Sequence, residues 1–127
     1  MPFRTLMYQM NVLASFSPDK FLRKLVAQNE HVEVEVLCLD TGQYIPVHRA
    51  DSDMVFLIWE GRADFYMGDQ VNQVATGHVI TVPAGQNRGI QARTKLIALV
   101  IYSPPLDITL RKQLEERIEQ GDLPEIT

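Results

Sequence analysis

Cysteine is nearly absent from this chain. Cys38 stands alone in 127 residues, so no internal disulfide can form and a reducing compartment is expected. Basic charge is also scarce: twelve Lys and Arg against sixteen Asp and Glu leave a net charge of −4. With no basic patch interleaved with aromatics, nucleic acid is not an expected partner. Long apolar runs are missing as well. The longest, Leu96 to Tyr102, has the length of a strand and is far too short to span a bilayer, so no membrane partner is expected. Near the start, Tyr8, Gln9 and Asn11 interrupt any apolar stretch of the kind a secretion signal needs, and no small-residue cleavage site follows. A soluble cytoplasmic protein is the expectation. Internal repeats, low-complexity segments and linkers are not seen.

What is there is enough for a core. The chain is 46% apolar, a share that rules out wholesale disorder, and its length suits a single domain over 1–127. Residues 3–14 read as an initial strand or arm. A short helix is predicted next: Ser17 as N-cap, Pro18 at the first helical position, Asp19 at the positive end of the dipole, then Phe21, Leu22, Leu25 and Val26 as a one-sided stripe. Arm and helix together occupy 3–27. From His31 the period becomes two. Val32, Val34, Val36 and Cys38 alternate with His31, Glu33, Glu35 and Leu37, the pattern of a half-buried strand. Further strands are predicted over 44–48, with Pro46 marking an edge or an irregular position, and over 54–59, 63–67, 71–74, 79–82, 90–92 and 96–102. Gly68-Asp69 makes a hairpin of two of them. Eight to ten short strands at such spacing indicate an all-β sandwich or barrel core over about 31–105. A C-terminal helix is predicted over about 107–120. Asp107 caps it, Leu110, Leu114 and Ile118 form its stripe, Gly121 stops it, and Arg111 pairs with Glu115 on a solvated face.

Two glycine frames sharpen the fold. Gly42 is followed after five residues by His48, and Met54 after six by Gly61; Gly77 is followed after five residues by Pro83, and that after one by Gly85. This spacing resembles the two signature motifs of the cupin superfamily: Gly-x5-His-x-His-x3–4-Glu-x6-Gly, and Gly-x5-Pro-x-Gly-x2-His-x3-Asn. The resemblance implies a jelly roll, or double-stranded β-helix, like that of small single-domain cupin-barrel proteins. It also implies a metal site, yet only His48 stands at a ligand position. Ala50, Met54 and Arg88 occupy the places of the second His, the Glu and the last His, and Ala92 that of the Asn.

In cupins the motif ligands point into the barrel. The resemblance therefore places His48, Met54 and Phe56, with Ala50 and Ile58, toward a cavity, and Arg88 and Ile90 with Ala92 opposite them. The expected ligand-binding set is His48, Arg88, Met54, Phe56 and Ile90, in a mostly apolar chamber. His48 reads as a proton carrier or as a packed wall residue. Arg88 reads as a fork for a carboxylate or phosphate, or as a mouth residue whose head reaches solvent or pairs with a nearby Asp or Glu. One imidazole cannot hold a transition metal, so no cofactor is expected; the weak alternative is a metal on His48 with Asp51 and Asp53. Cys38 reads as a buried inert thiol. Trp59, Phe56 and Phe65 read as core or interface. Pairing through the 3–14 arm makes a homodimer the expected assembly.

The function these readings favour is small-molecule binding without the usual metal, for an anionic ligand. The alternative is a cupin enzyme, metal-dependent through a non-standard set or metal-independent of the isomerase or epimerase type, with His48 as base. No residue is singled out as catalytic.

Overall fold

Period-two patterning carries most of the chain into nine strands, and every pair among the described residues is antiparallel. The computed structural model describes residues 5–125, so positions 3 and 4 of the expected arm lie outside it. In chain order the elements are α1 (Met10–Leu13), β1 (Leu22–Gln28), β2 (Glu33–Leu39), β3 (Tyr44–His48), β4 (Asp53–Glu60), β5 (Arg62–Met67), β6 (Gln70–Ala75), β7 (Val79–Val82), β8 (Arg88–Ala92), β9 (Leu96–Ser103) and α2 (Ile108–Glu119). One sheet runs β1-β2-β9-β4-β7 and the other β3-β8-β5-β6. Beyond the β5–β6 hairpin and the β1–β2 pair, the chain changes sheet at each step, which rolls it into the double-stranded β-helix that the glycine frames imply.

The inner faces meet in one apolar core. Leu37, Leu39, Phe56, Ile58, Phe65, Ile90, Leu96 and Val100 are all buried there. Phe56 and Phe65 pack edge to face with centroids 5.4 Å apart, the geometry that ring quadrupoles favour. Pro46 lies on β3, an edge strand, where a missing N–H costs no ladder bond. The predicted C-terminal helix forms as α2. The Asp107 carboxylate accepts from the Thr109 N–H, and Gly121 (φ +76°) ends the helix.

Three expectations give way. The first concerns the segment after Ser17, which is no helix. Ser17 Oγ does accept from the Asp19 N–H, 3.3 Å away, but that local bond makes only a turn. The chain then runs on as β1, because pairing with β2 supplies its backbone partners from Leu22↔Cys38 to Gln28↔Glu33. A bulge between Leu25 and Ala27 sends Val26 to the outer side while Phe21 joins the inner core. The short N-terminal helix is instead the single turn α1, whose Met10 and Leu13, with Ala14 and Phe16 just beyond it, cover Val36, Cys38 and Ile97 on the outer face of the larger sheet.

The second is the burial of β2. With that cover on one side and the barrel on the other, both faces of the strand are buried. The valine–cysteine face looks outward beneath the arm, and Glu33 and Glu35 share the inner face with Leu37 and Leu39. The third is Arg111, which does not pair with Glu115 on a solvated face. It turns into the barrel mouth, toward Glu33 and Glu35.

Gly61, between β4 and β5, is required by space as well as by dihedral angle. Its φ is +109°, and a Cβ there would lie 2.2 Å from the Lys95 carbonyl oxygen. Gly42 also has positive φ (+86°) but faces open space. In equilibrium urea unfolding, Gly42→Ala is predicted to cost about 1 kcal/mol, the left-handed penalty alone. Gly61→Ala is predicted to cost roughly 3 kcal/mol or more, because strand backbone must also move. Equal losses at the two positions would refute this reading of the β4–β5 turn.

Candidate functional site

β3 ends on His48 and β8 begins on Arg88, and the two are register partners. Directly opposed residues of an antiparallel pair project to the same face. Both line a cavity of about 60 Å³, among mostly apolar walls that include Met54, Phe56, Phe65 and Ile90. The structure therefore brings all five expected ligand-binding residues to one chamber. It does not bring Asp51 and Asp53 there: both are exposed, and the Asp53 carboxylate accepts from the Ala84 N–H, 2.8 Å away.

Arg88 is 2% exposed. Its Nε donates to the Gln86 carbonyl at 3.2 Å, Nη1 to Ser52 at 3.0 Å and Nη2 to Pro83 at 2.9 Å. These carbonyls belong to the β3–β4 and β7–β8 loops, so the guanidinium clasps the two motif loops together. No carboxylate pairs with it among the described residues. Burial lowers its pKa, yet a guanidinium remains charged in proteins. A full positive charge thus borders the chamber, hydrogen-bonded only to backbone carbonyls among the described residues, with the Asp53 carboxylate acting on it from farther off.

His48 Nδ1 lies 2.7 Å from the Pro46 carbonyl oxygen. A carbonyl only accepts, so Nδ1 carries the hydrogen. Burial, outweighing that hydrogen bond, and then the nearby charges of Arg88 and Arg117, bring the His48 pKa down to about 4. The ring is neutral near pH 7, and Nε2 keeps a lone pair with no protein partner among the described residues.

Chain patterning concealed a second polar group at the same mouth. The Glu35 carboxylate accepts from Arg23 Nη1 at 2.9 Å and from the Tyr102 hydroxyl at 3.1 Å, and Arg111 Nη1 lies 3.7 Å away. Glu33 pairs with Arg111 Nη2 and accepts from the Leu106 N–H at 3.3 Å. Burial, then the Glu35 charge, raise the Tyr102 pKa well above its usual value, so the phenol stays protonated. Through Arg111 and Leu114 the helix α2 closes over the chamber, whose wall includes Phe21, Arg23 and Glu115. The one clue in the chain was the pair Glu33 and Glu35 set among Val and Leu. Two carboxylates on a strand otherwise apolar on both faces require arginines from elsewhere, and neither Arg23 nor Arg111 is marked by spacing.

These residues do not fit the metal centre that the motifs imply. The ligand positions offer one neutral imidazole, a thioether and a guanidinium; the guanidinium has no lone pair to give and repels a cation. No three His, Cys, Asp or Glu side chains converge among the described residues.

A rolled barrel with both glycine frames at its loops defines a class, and comparison with known proteins agrees. No protein-family model matches the chain. It is 32% identical over 87 residues to an uncharacterized protein of Streptomyces coelicolor, spanning 68% of this chain and 78% of that one. It superposes on an RmlC-like cupin protein from Desulfovibrio desulfuricans with a TM-score of 0.66 at 26% identity, over 83% of this chain and 98% of the other. It superposes on a cupin superfamily protein from Desulfitobacterium hafniense with a TM-score of 0.74 at 19% identity, over 83% and 100% of the respective chains. The chain belongs to the cupin superfamily.

The His48 shift has a stability consequence with a definite sign. The folded pKa, about 4, lies below the ordinary value of 6.5, so the unfolded chain binds more protons between them. This contribution is fully present above pH 6.5 and is lost as pH falls through 4, amounting to about 3 kcal/mol at most. Unfolding free energy measured against pH should fall over this window, and His48→Phe should flatten the fall. A variant with the same slope as the parent would show that His48 is not its source.

Proposed function

We propose that this protein binds a small molecule with an anionic head and an apolar body inside the barrel, without a metal. One observation carries the reading: the Arg88 guanidinium, buried at the chamber wall, has carbonyl partners and no carboxylate. Carbonyl dipoles take up three of its donors but leave its net charge, and a ligand anion would neutralise it in a low-dielectric setting where such a pair is worth most. Two of its five N–H groups remain for the ligand. The cavity's small size limits the ligand to a few heavy atoms beyond its head group. Entry runs between α2 and the Phe21–Arg23 segment, since a surface groove bounded by residues 18–23, 41–44 and 115–119 shares Phe21, Arg23 and Glu115 with the chamber. A reducing cytoplasm suits the free, buried Cys38.

Thermal unfolding with short carboxylic acids, each matched to an alcohol of equal carbon count, tests this proposal. Acids are expected to raise the melting temperature in a saturable way, with about 2.7 kcal/mol gained at a hundredfold excess over Kd. Alcohols are expected to do much less. Equal shifts from acids and alcohols, or none from either, would overturn it.

We further propose that two copies pair through the outer face of the larger sheet. Among the described residues, the N-terminal arm covers the β2–β9 side of that face. On the β4–β7 side Trp59 is 48% and Val79 61% exposed, beside half-buried Val55, Leu57 and Ile101, and the arm itself exposes Leu6, Met7, Tyr8 and Val12. A self-complementary apolar face of this kind suits a twofold dimer. Sedimentation equilibrium should return twice the chain mass, and Val79→Lys should return the chain mass with unchanged circular dichroism. A parent protein that sediments as a monomer at high concentration would exclude the dimer.

A further inference from the structure

The unpaired atoms of the chamber narrow the ligand beyond "anion", in an inference that rests on the chamber reading above. His48 and Arg88 are opposed across β3 and β8, so their Cβ atoms stand about 5 Å apart and both can reach neighbouring atoms of one small molecule. Their demands are opposite. Arg88 has only donors to offer. His48 has already used its N–H on Pro46, so the remaining ring nitrogen can only accept. A bare carboxylate would answer the guanidinium but set a second lone pair against the imidazole. The ligand therefore needs a donor beside its anionic group.

Charge decides which donor. An ammonium would serve in a neutral surrounding, but Arg88 and Arg117 both act on the imidazole, and although Asp122 pairs with Arg117 at 2.6 Å and Asp53 acts on Arg88, neither carboxylate counters the two arginines at the ring. A neutral hydroxyl escapes that repulsion. A primary amide carries donor and acceptor together, yet it would leave the guanidinium charge unanswered. We infer that the chamber recognises a 2-hydroxycarboxylate, its carboxylate accepting from Arg88 and its hydroxyl donating to His48 Nε2. Hydroxyl and carboxylate sit on one carbon, matching the short separation of the two side chains. The alkyl part lies against Met54, Phe56, Phe65 and Ile90, which present no polar group to a second hydroxyl.

Isothermal titration with matched probes at two sizes tests this: lactate against propionate, and 2-hydroxyisovalerate against isovalerate, valine and 2-hydroxyisovaleramide. The hydroxy acid of at least one size is expected to bind about tenfold more tightly than its deoxy partner, the yield of one hydrogen bond. Valine and the amide are expected to bind more weakly than 2-hydroxyisovalerate. In His48→Phe, confirmed folded by circular dichroism, hydroxy and deoxy acids should bind alike. If the deoxy acids match the hydroxy acids in the parent protein, the hydroxyl contact is wrong and the anion-binding chamber stands. If the amide binds as well as the acids, or no acid binds at either size, both readings fall.

Discussion

A permanent charge buried in a β-barrel must be answered by something, and here it is answered by backbone. Arg88 reaches three carbonyls on two loops, and that single side chain fixes how the barrel mouth is built. The β3–β4 and β7–β8 loops cannot separate without stripping the guanidinium of its partners, a loss far larger than that of a solvent-exposed hydrogen bond. Other bonds tighten the same junction: the Gly85 N–H donates to the Ala50 carbonyl at 2.8 Å, and the Ser52 hydroxyl to the Pro104 carbonyl at 2.6 Å. The same charge helps to hold His48 neutral and repels any cation from the place where the motif would seat one. Architecture and electrostatics at this mouth thus share one cause.

The second polar knot does different work. Glu33 and Glu35 face inward from β2 and are met by Arg23 from β1 and Arg111 from α2. Buried ion pairs contribute little net stability against an apolar replacement, but a lone buried carboxylate is strongly unfavourable. The effect is to specify where the C-terminal helix sits. Arg111 must reach the glutamates, which sets Leu114 over the chamber and leaves the polar face of α2 toward solvent. The Tyr44 hydroxyl, donating to the Ile118 carbonyl at 3.2 Å, holds the far end of the helix to β3. A helix that patterning reads as a simple amphipathic cap is in this way part of the chamber wall.

Much of the barrel was legible because its signals are local. Gly61 needs a positive φ and an absent Cβ, Pro46 needs an edge, Gly68-Asp69 needs a tight turn, and alternation along β4 sends Met54, Phe56 and Ile58 inward whatever the rest of the chain does. The resemblance of the frame from Gly77 to Arg88 to the second cupin motif implied Arg88 and Ile90 on the inner face of β8, where both line the chamber. The segment after Ser17 misled for the opposite reason. Its capping signal is local and real, but the edge of β2 offered a full ladder of backbone partners, and tertiary pairing overrode a short helix of modest propensity.

From the chain's own periodicity came an all-β core closed by a C-terminal helix, because turn geometry and strand period act over a few neighbouring residues; the roll, its inward residues and the presence of Ala50, Met54 and Arg88 at ligand positions came from the resemblance of the two glycine frames. Only the folded barrel decided what those residues face. That Arg88 meets carbonyls and no acid, that His48 keeps its free lone pair, and that two glutamates on β2 draw Arg23 and Arg111 to the mouth all depend on residues brought together from distant parts of the chain. Spacing does not encode such meetings, since burial and charge compensation exist only once the sheets have closed.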